Sequence, residues 1–173
     1  MSFDKIKQTR GRMLGIDFGE ARTGLAVSDA SRLLASGIGN IKGGGLERSV
    51  EAIAEVVERE RISAIVLGLP VNMNGTEGPR AARIRQFGSM LEERLPEVPL
   101  AYMDERMTTM AASRFLNETN TRGGKRKGVI DTLSAEIILQ NALDKLRFMR
   151  ERAEAEAAES SAETHTTDTE EET

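Results

Sequence analysis

The chain has no cysteine and no tryptophan, and its one histidine, His165, lies in a polar stretch near the C-terminus. The missing thiols exclude a disulfide framework, a zinc knuckle and a cysteine nucleophile. A lone histidine outside any apolar pattern removes the usual general base and the usual imidazole metal ligand. Chemistry must therefore rest on carboxylates, hydroxyls and cations. No run approaches the roughly 18 apolar residues of a membrane span, and the first twelve residues carry no apolar core after Lys5 and Lys7, so they are not a signal peptide. A cytoplasmic protein with no membrane partner is expected. No repeat with the period of a solenoid or propeller is visible.

What is present divides unevenly. The 173 residues suit one domain of ordinary size, and their net charge of -4 conceals a change of sign. From Glu151 to Thr173 nine acids face Arg152 alone, a net of -8, whereas residues 1–150 carry 23 Lys and Arg against 19 Asp and Glu, a net of +4. Ala, Ser and Thr supply most of the remainder of the tail, too little apolar surface to offset the entropy of ordering it. The expected organisation is a leader over 1–12, a folded domain over 13–150, and a disordered acidic tail over 151–173 with at most a helical extension through Ala157. Such a tail is either an inert solubilising segment or a tethered polyanion competing for a basic surface.

The stretch Met13–Ser28 organises the domain. It reads as an apolar strand, a tight glycine turn and a return strand, with Asp17 among apolar neighbours where an unpaired carboxylate is costly. Gly15 and Gly19 flank Asp17, and Gly24 opens the return strand. Glycine at such positions admits another backbone, a phosphate or a metal at close range; the plainer alternative is an Asp that merely ends a strand. A third strand is expected from about Leu33 to Ile41. An amphipathic helix follows from Leu46 to Glu60, then a buried strand from Ile62 to Leu69. After the polar loop Pro70–Gly78, Pro79 suits the first turn of a helix reaching Leu95, with Ile84, Phe87, Leu91 and Leu95 inward. Val98–Met103 forms the next strand and Thr108–Asn117 a short helix. A basic loop, Thr121–Gly128, leads into a final helix over Val129–Arg150 with Ile130, Leu133, Ile137, Asn141 and Leu146 on one side. This order of elements is α/β, with right-handed crossovers laying the later strands parallel to the first.

Asp104 and Glu105 stand at the carboxyl end of a buried strand, where open α/β sheets present ligand-binding groups. Asp131 opens the last helix. Each has a plain alternative: a first-turn acid facing the helix dipole for Asp131, a surface partner of Arg106 for Glu105. Together with Asp17 they form a candidate all-oxygen cage for Mg²⁺ or Mn²⁺.

Gly15-Ile-Asp17-Phe-Gly19 with Gly24, Gly68–Pro79, Asp104-Glu105-Arg106-Met-Thr-Thr109 and Gly128-Val-Ile-Asp131-Thr-Leu-Ser134-Ala135 resemble, in order, the four blocks of the YqgF/RuvX family. That family comprises pre-16S rRNA nucleases, also called Holliday-junction-resolvase-like proteins, with an RNase H-like fold. The resemblance covers about Met13 to Leu146. It implies a five-stranded mixed sheet in order 3-2-1-4-5, with Asp17 on the central strand beside the strand ending at Glu105. It also implies that Asp17, Glu105 and Asp131 are catalytic, metal-binding acids. Two ions roughly 3.5 to 4 Å apart would then hydrolyse a phosphodiester without a histidine base. The chain departs from the family in having Thr132 where Ser is common and Ala112 where an acid is common; neither position is a proposed ligand.

On that reading Arg122, Lys125, Arg126 and Lys127 are candidates to hold substrate phosphates, a solvated loop being the alternative. Asn72, Asn74, Thr76 and Arg80 are candidates for sugar or phosphate contacts. With Tyr102 and five Phe only, a base-stacking platform is not evident. The implied partners are RNA (pre-rRNA), with ribosomal precursor particles, or branched DNA. A junction resolvase acts as a homodimer to cut two strands, whereas a processing nuclease acts equally well as a monomer. Two rivals of other classes remain: a non-catalytic nucleic-acid or ribosome-binding module, and an actin-like or sugar-kinase-like ATPase, whose phosphate-binding hairpin also resembles Asp17-Phe-Gly. The second needs two such halves, and 150 structured residues make one.

Overall fold

Residue alternation along β1 (Met13–Asp17) sets the layout: Leu14 and Ile16 enter one hydrophobic core, while Met13 belongs to the other. β1 pairs antiparallel with β2 (Arg22–Ser28), which pairs antiparallel with β3 (Ala35–Lys42); on its other side β1 pairs parallel with β4 (Ala64–Leu69), and β4 with β5 (Leu100–Asp104). The sheet order is β3-β2-β1-β4-β5, the five-stranded mixed sheet implied by the family resemblance. β4 lies between β1 and β5, so the strand ending at Asp104 is not the immediate neighbour of Asp17 that the sequence reading expected. The computed structural model describes residues 3–104 and 124–166.

Helices cover both faces. α2 (Leu46–Glu60) and α3 (Pro79–Arg94) bury Val50, Ile53, Val57, Ile84, Phe87 and Leu91 against the large aliphatic side chains of one face. Leu95, expected inward, is only half-buried just past the end of α3. Phe18 stacks on Phe87 in this layer, ring centroids 4.3 Å apart. The opposite face is paved with small residues, Ala26, Ala35, Ala64 and Ala101 among them, and receives α4 (Gly124–Thr166). Here glycine is obligatory. A Cβ on Gly15 would stand 2.6 Å from the Leu139 Cβ, and one on Gly24 would overlap the Asp131 carbonyl oxygen. The two glycines let α4 lie directly on the strands.

α4 departs from its expected form in three ways. It begins at Gly124, so Lys125, Arg126 and Lys127 belong to its first turns rather than to a loop, and Asp131 lies two turns in. The buried side is Ala135, Ile138, Leu139, Ala142, Leu143 and Leu146; Ile130, Leu133, Ile137 and Asn141 are half-buried flanks. The expected stripe favoured large residues, but a glycine- and alanine-paved sheet accepts the alanine-bearing side, which brings the axes closer. Third, the helix continues to Thr166 through the segment whose composition suggests disorder. Residues 151–160 are exposed throughout, and Arg152 pairs with Glu156 one turn on at 2.8 Å. Helix-favouring Ala and Glu with an i,i+4 ion pair suit a helix across this exposed stretch.

The N-terminal leader is also structured. α1 (Phe3–Gln8) places Ile6 in the α4-side core, fully buried, and Lys145 lies over the Phe3 ring at 4.1 Å. Residues 105–123, with the expected helix Thr108–Asn117, Glu105 and Arg122, lie outside the described residues.

Candidate active site at the end of the sheet

Asp17 is the last residue of β1, opposite Gly24 of β2. Because Gly24 has no side chain, the Asp131 backbone presses against β2 at that point, so one packing contact brings the second acid to the first. Asp131 is not a first-turn acid facing a helix dipole; the first turn of α4 has none. The Asp17 side chain is 15% exposed. Burial foremost, reinforced by the negative charge of Asp131 and opposed by the positive charge of Arg80, pushes its carboxyl up from the ordinary 3.8 to about 6. Arg80 reaches from the first turn of α3, with Nη2 3.8 Å from Asp17 Oδ1.

Beside Asp17 a cavity of about 460 Å³ opens between the β1–β2 turn and the start of α3, lined by Phe18, Gly19, Glu20, Pro79, Arg80, Arg83 and Ile84. Arg83, which the sequence reading passed over, stands one turn beyond Arg80 and 3.8 Å from Glu20. The i,i+3 spacing of two arginines after a first-turn proline is the signal that would have found it. Gly19 serves the turn itself, since a Cβ there would stand 2.5 Å from the Arg22 carbonyl oxygen.

The loop between β4 and α3 delivers Arg80 but binds its own polar groups. Asn72 Nδ2 donates to Thr76 Oγ1 at 2.9 Å, Thr76 Oγ1 donates to Asn74 Oδ1 at 2.7 Å, and the Asn72 and Gly75 amides close the turn. Val71 and Glu77 bridge across its base. Glu77 in turn receives Arg85 in two hydrogen bonds. Asn72, Asn74 and Thr76 therefore shape the loop, while Arg80 is the residue of that set brought to the acid.

Residues 11–145 match the family model described as "RuvX: Holliday junction resolvase". The chain belongs to the RuvX family. A relative from Caldanaerobacter subterraneus subsp. tengcongensis, named "Putative pre-16S rRNA nuclease", is 45% identical over 134 residues, 77% of this chain and 96% of the relative. One from Paracoccus denitrificans with the same name is 42% identical over 148 residues, 86% and 93% of the two chains. The structure of T. thermophilus RuvC in complex with Holliday junction substrate shares the fold, at 16% identity and a TM-score of 0.50 over 79% of this chain and 96% of that one. RuvX membership does not favour the ATPase alternative.

In this RuvX chain the donors suit a hard divalent cation. Two carboxylates from different elements act on one another at a half-enclosed strand end, and the proton affinity of Asp17 is raised in a way that added positive charge would reverse. Among the described residues no three potential ligands stand together. Glu105, the third expected acid, follows Asp104 immediately and lies outside the described residues. No helix among the described residues is long and apolar enough to cross a membrane.

Proposed function

We propose that this chain is a metal-dependent nuclease that hydrolyses phosphodiester bonds of pre-16S rRNA during ribosome biogenesis in the cytoplasm, with Asp17, Glu105 and Asp131 as its acids. The observation that carries the reading is the mutually repelling pair Asp17 and Asp131 at the sheet end, beside a cavity lined by Arg80 and Arg83. RuvX membership and the nuclease names of the relatives supply the reaction class and the substrate.

Asp17 and Asp131, with Glu105, would hold two Mg²⁺ or Mn²⁺ ions, which when bound lower the pKa of an attacking water and stabilise the leaving oxygen. The protein's own groups do the rest. Burial keeps the Asp17 carboxylate in a site of low dielectric, where its charge acts strongly on whatever it faces. Arg80 and Arg83 offer forked donors to the phosphate beside the scissile bond, and Arg122, Lys125, Arg126 and Lys127 are the further cations assigned to substrate phosphates. Glu20 stands 3.8 Å from Arg83 at the cavity wall, an exposed pairing that a bound phosphate would replace.

The test is cleavage of a pre-16S rRNA fragment, with a four-way DNA junction in parallel. Asp17→Asn, Glu105→Gln and Asp131→Asn should each reduce Mg²⁺-dependent turnover by at least ~10² while RNA binding persists, on the scale of losing one electrostatic stabiliser. Full activity in any two of the three would refute the assignment. Cleavage of the junction in preference to the RNA would replace the substrate with branched DNA.

A further inference from the structure

At the opposite end of the sheet a second cavity, about 400 Å³, is lined by Lys7, Thr9, Arg10, Gly11, Ala30, Ser31, Arg32 and Arg150. Four cations from three separate parts of the chain converge there, and none has a carboxylate partner among the described residues. Arg12, Arg80, Arg85 and Arg94, by contrast, are each paired with an acid. Arg32 is the floor. Its backbone is left-handed, at φ 61°, and its guanidinium donates to the carbonyls of Gly11 and Ile6 and to the hydroxyls of Thr9 and Ser63. All four acceptors are neutral, so its charge stays uncompensated. Burial and the nearby Arg150 both lower its pKa, as expected of crowded like charges.

The neighbouring acid is committed elsewhere. Asp29 accepts the backbone N–H groups of Ser31, Leu33 and Leu34 and the Ser31 hydroxyl, and does not line the cavity. Lys7, Arg10 and Arg150 are exposed, with nothing described to hold them in place. Concentrating four positive charges in a lining that holds no carboxylate is unfavourable unless an anion visits.

We propose that this cavity is a second phosphate-binding site, which grips the nucleic-acid backbone at a distance from the acids. From Gly11 to Asp17 the strand spans about 20 Å, or about six phosphate steps along a duplex strand. A backbone lying along the molecule would thus meet Arg80 at one end and the Arg10–Arg150 cluster at the other. The site contributes length discrimination and affinity rather than chemistry. This rests on the nucleic-acid reading of the acid end but not on which bond is cut.

The experiment compares full-length protein with the Lys7→Ala/Arg10→Ala/Arg150→Ala variant, and with Arg10→Glu alone should the triple variant melt early. Binding of fluorescent RNA duplexes of 6, 12 and 18 base pairs is measured across a salt series in EDTA. Wild type should gain affinity from the shortest to the longer duplexes, and the variant should lose that gain. The slope of log K against log salt should fall by about 0.7 to 0.9 per cation removed, so that between 50 and 200 mM salt the wild type loses about twenty- to fortyfold more affinity than the triple variant. Equal slopes and equal length dependence would overturn the proposal. So would inorganic phosphate abolishing the difference at micromolar concentration, which would make the cavity a site for a free anion. Failure of the wild type to cleave any substrate would sink the catalytic reading while leaving these binding curves interpretable.

Discussion

Arg80 and Asp131 act on the Asp17 carboxylate in opposite senses: the α3 guanidinium, 3.8 Å away, favours its charge, and the α4 acid disfavours it. Burial decides the balance, and the group protonates near pH 6 instead of 3.8. A site that holds an acid in this state without a cation is unstable by design of its parts, and its response to pH has a definite sign.

Between about pH 4 and 6 the native protein retains a proton that the unfolded chain has released, so stability falls as pH rises through this window and stays lower above it. At ~1.36 kcal/mol per pH unit the penalty at neutral pH is up to about 3 kcal/mol. In EDTA, Asp17→Asn should be more stable than wild type at pH 7.5 by up to that amount, with the difference vanishing below pH 4. Urea unfolding at several pH values measures it. A variant no more stable than wild type at pH 7.5 would contradict the burial argument.

Gly24→Ala should destabilise by about 1 to 3 kcal/mol, the usual cost of overpacking, because its Cβ would displace the backbone at Asp131. Cleavage should fall further than stability, since the shift moves the second acid away from the first. Activity equal to wild type at a temperature where the variant is fully folded would show that the contact does not position Asp131.

Replacing Lys125, Arg126 and Lys127 by Ala should weaken RNA binding evenly across sequences and reduce the salt slope by about 0.7 per lost contact for a single strand and 0.9 for a duplex. Helix content should change little, Ala being the best helix former. An unchanged slope would make this segment a bystander.

Removing residues 151–173 should leave the melting temperature within a degree or two of the full chain, because residues 151–160 bury nothing. It should raise RNA affinity at low salt. The composition points to a tail competing for a basic surface, and the helix carries Glu151, Glu154, Glu156 and Glu159 on from Arg150, which lines the basic cavity. The gain should therefore vanish in the Lys7→Ala/Arg10→Ala/Arg150→Ala background and at 1 M salt, where the screening length is roughly 3 Å.

Sequence patterns revealed the strands and α2 and α3 to within two residues, because there the apolar period is clean: Val50, Ile53 and Val57 can lie inward only on a helix. The last helix was harder. Its buried side is chosen by Gly15, Gly24 and Gly37 on the facing strands, residues more than ninety positions away that no local periodicity contains. Asp17 was legible from its apolar setting. Arg83 and the Arg10–Arg150 cluster were not, since a lone surface cation looks the same in sequence whether or not three others converge on it.

The glycine seam under α4 also imposes an order in time. The hairpin bearing Asp17 is complete within the first thirty residues, but Asp131 is added 114 residues after Asp17, about 6 to 23 s later at ordinary rates of synthesis. Until α4 emerges and settles onto Gly15 and Gly24, the acid pair does not exist. On the proposed role of the two acids, a nascent chain still attached to its ribosome is thus an unarmed one for most of its synthesis, and the last long helix serves as its safety catch.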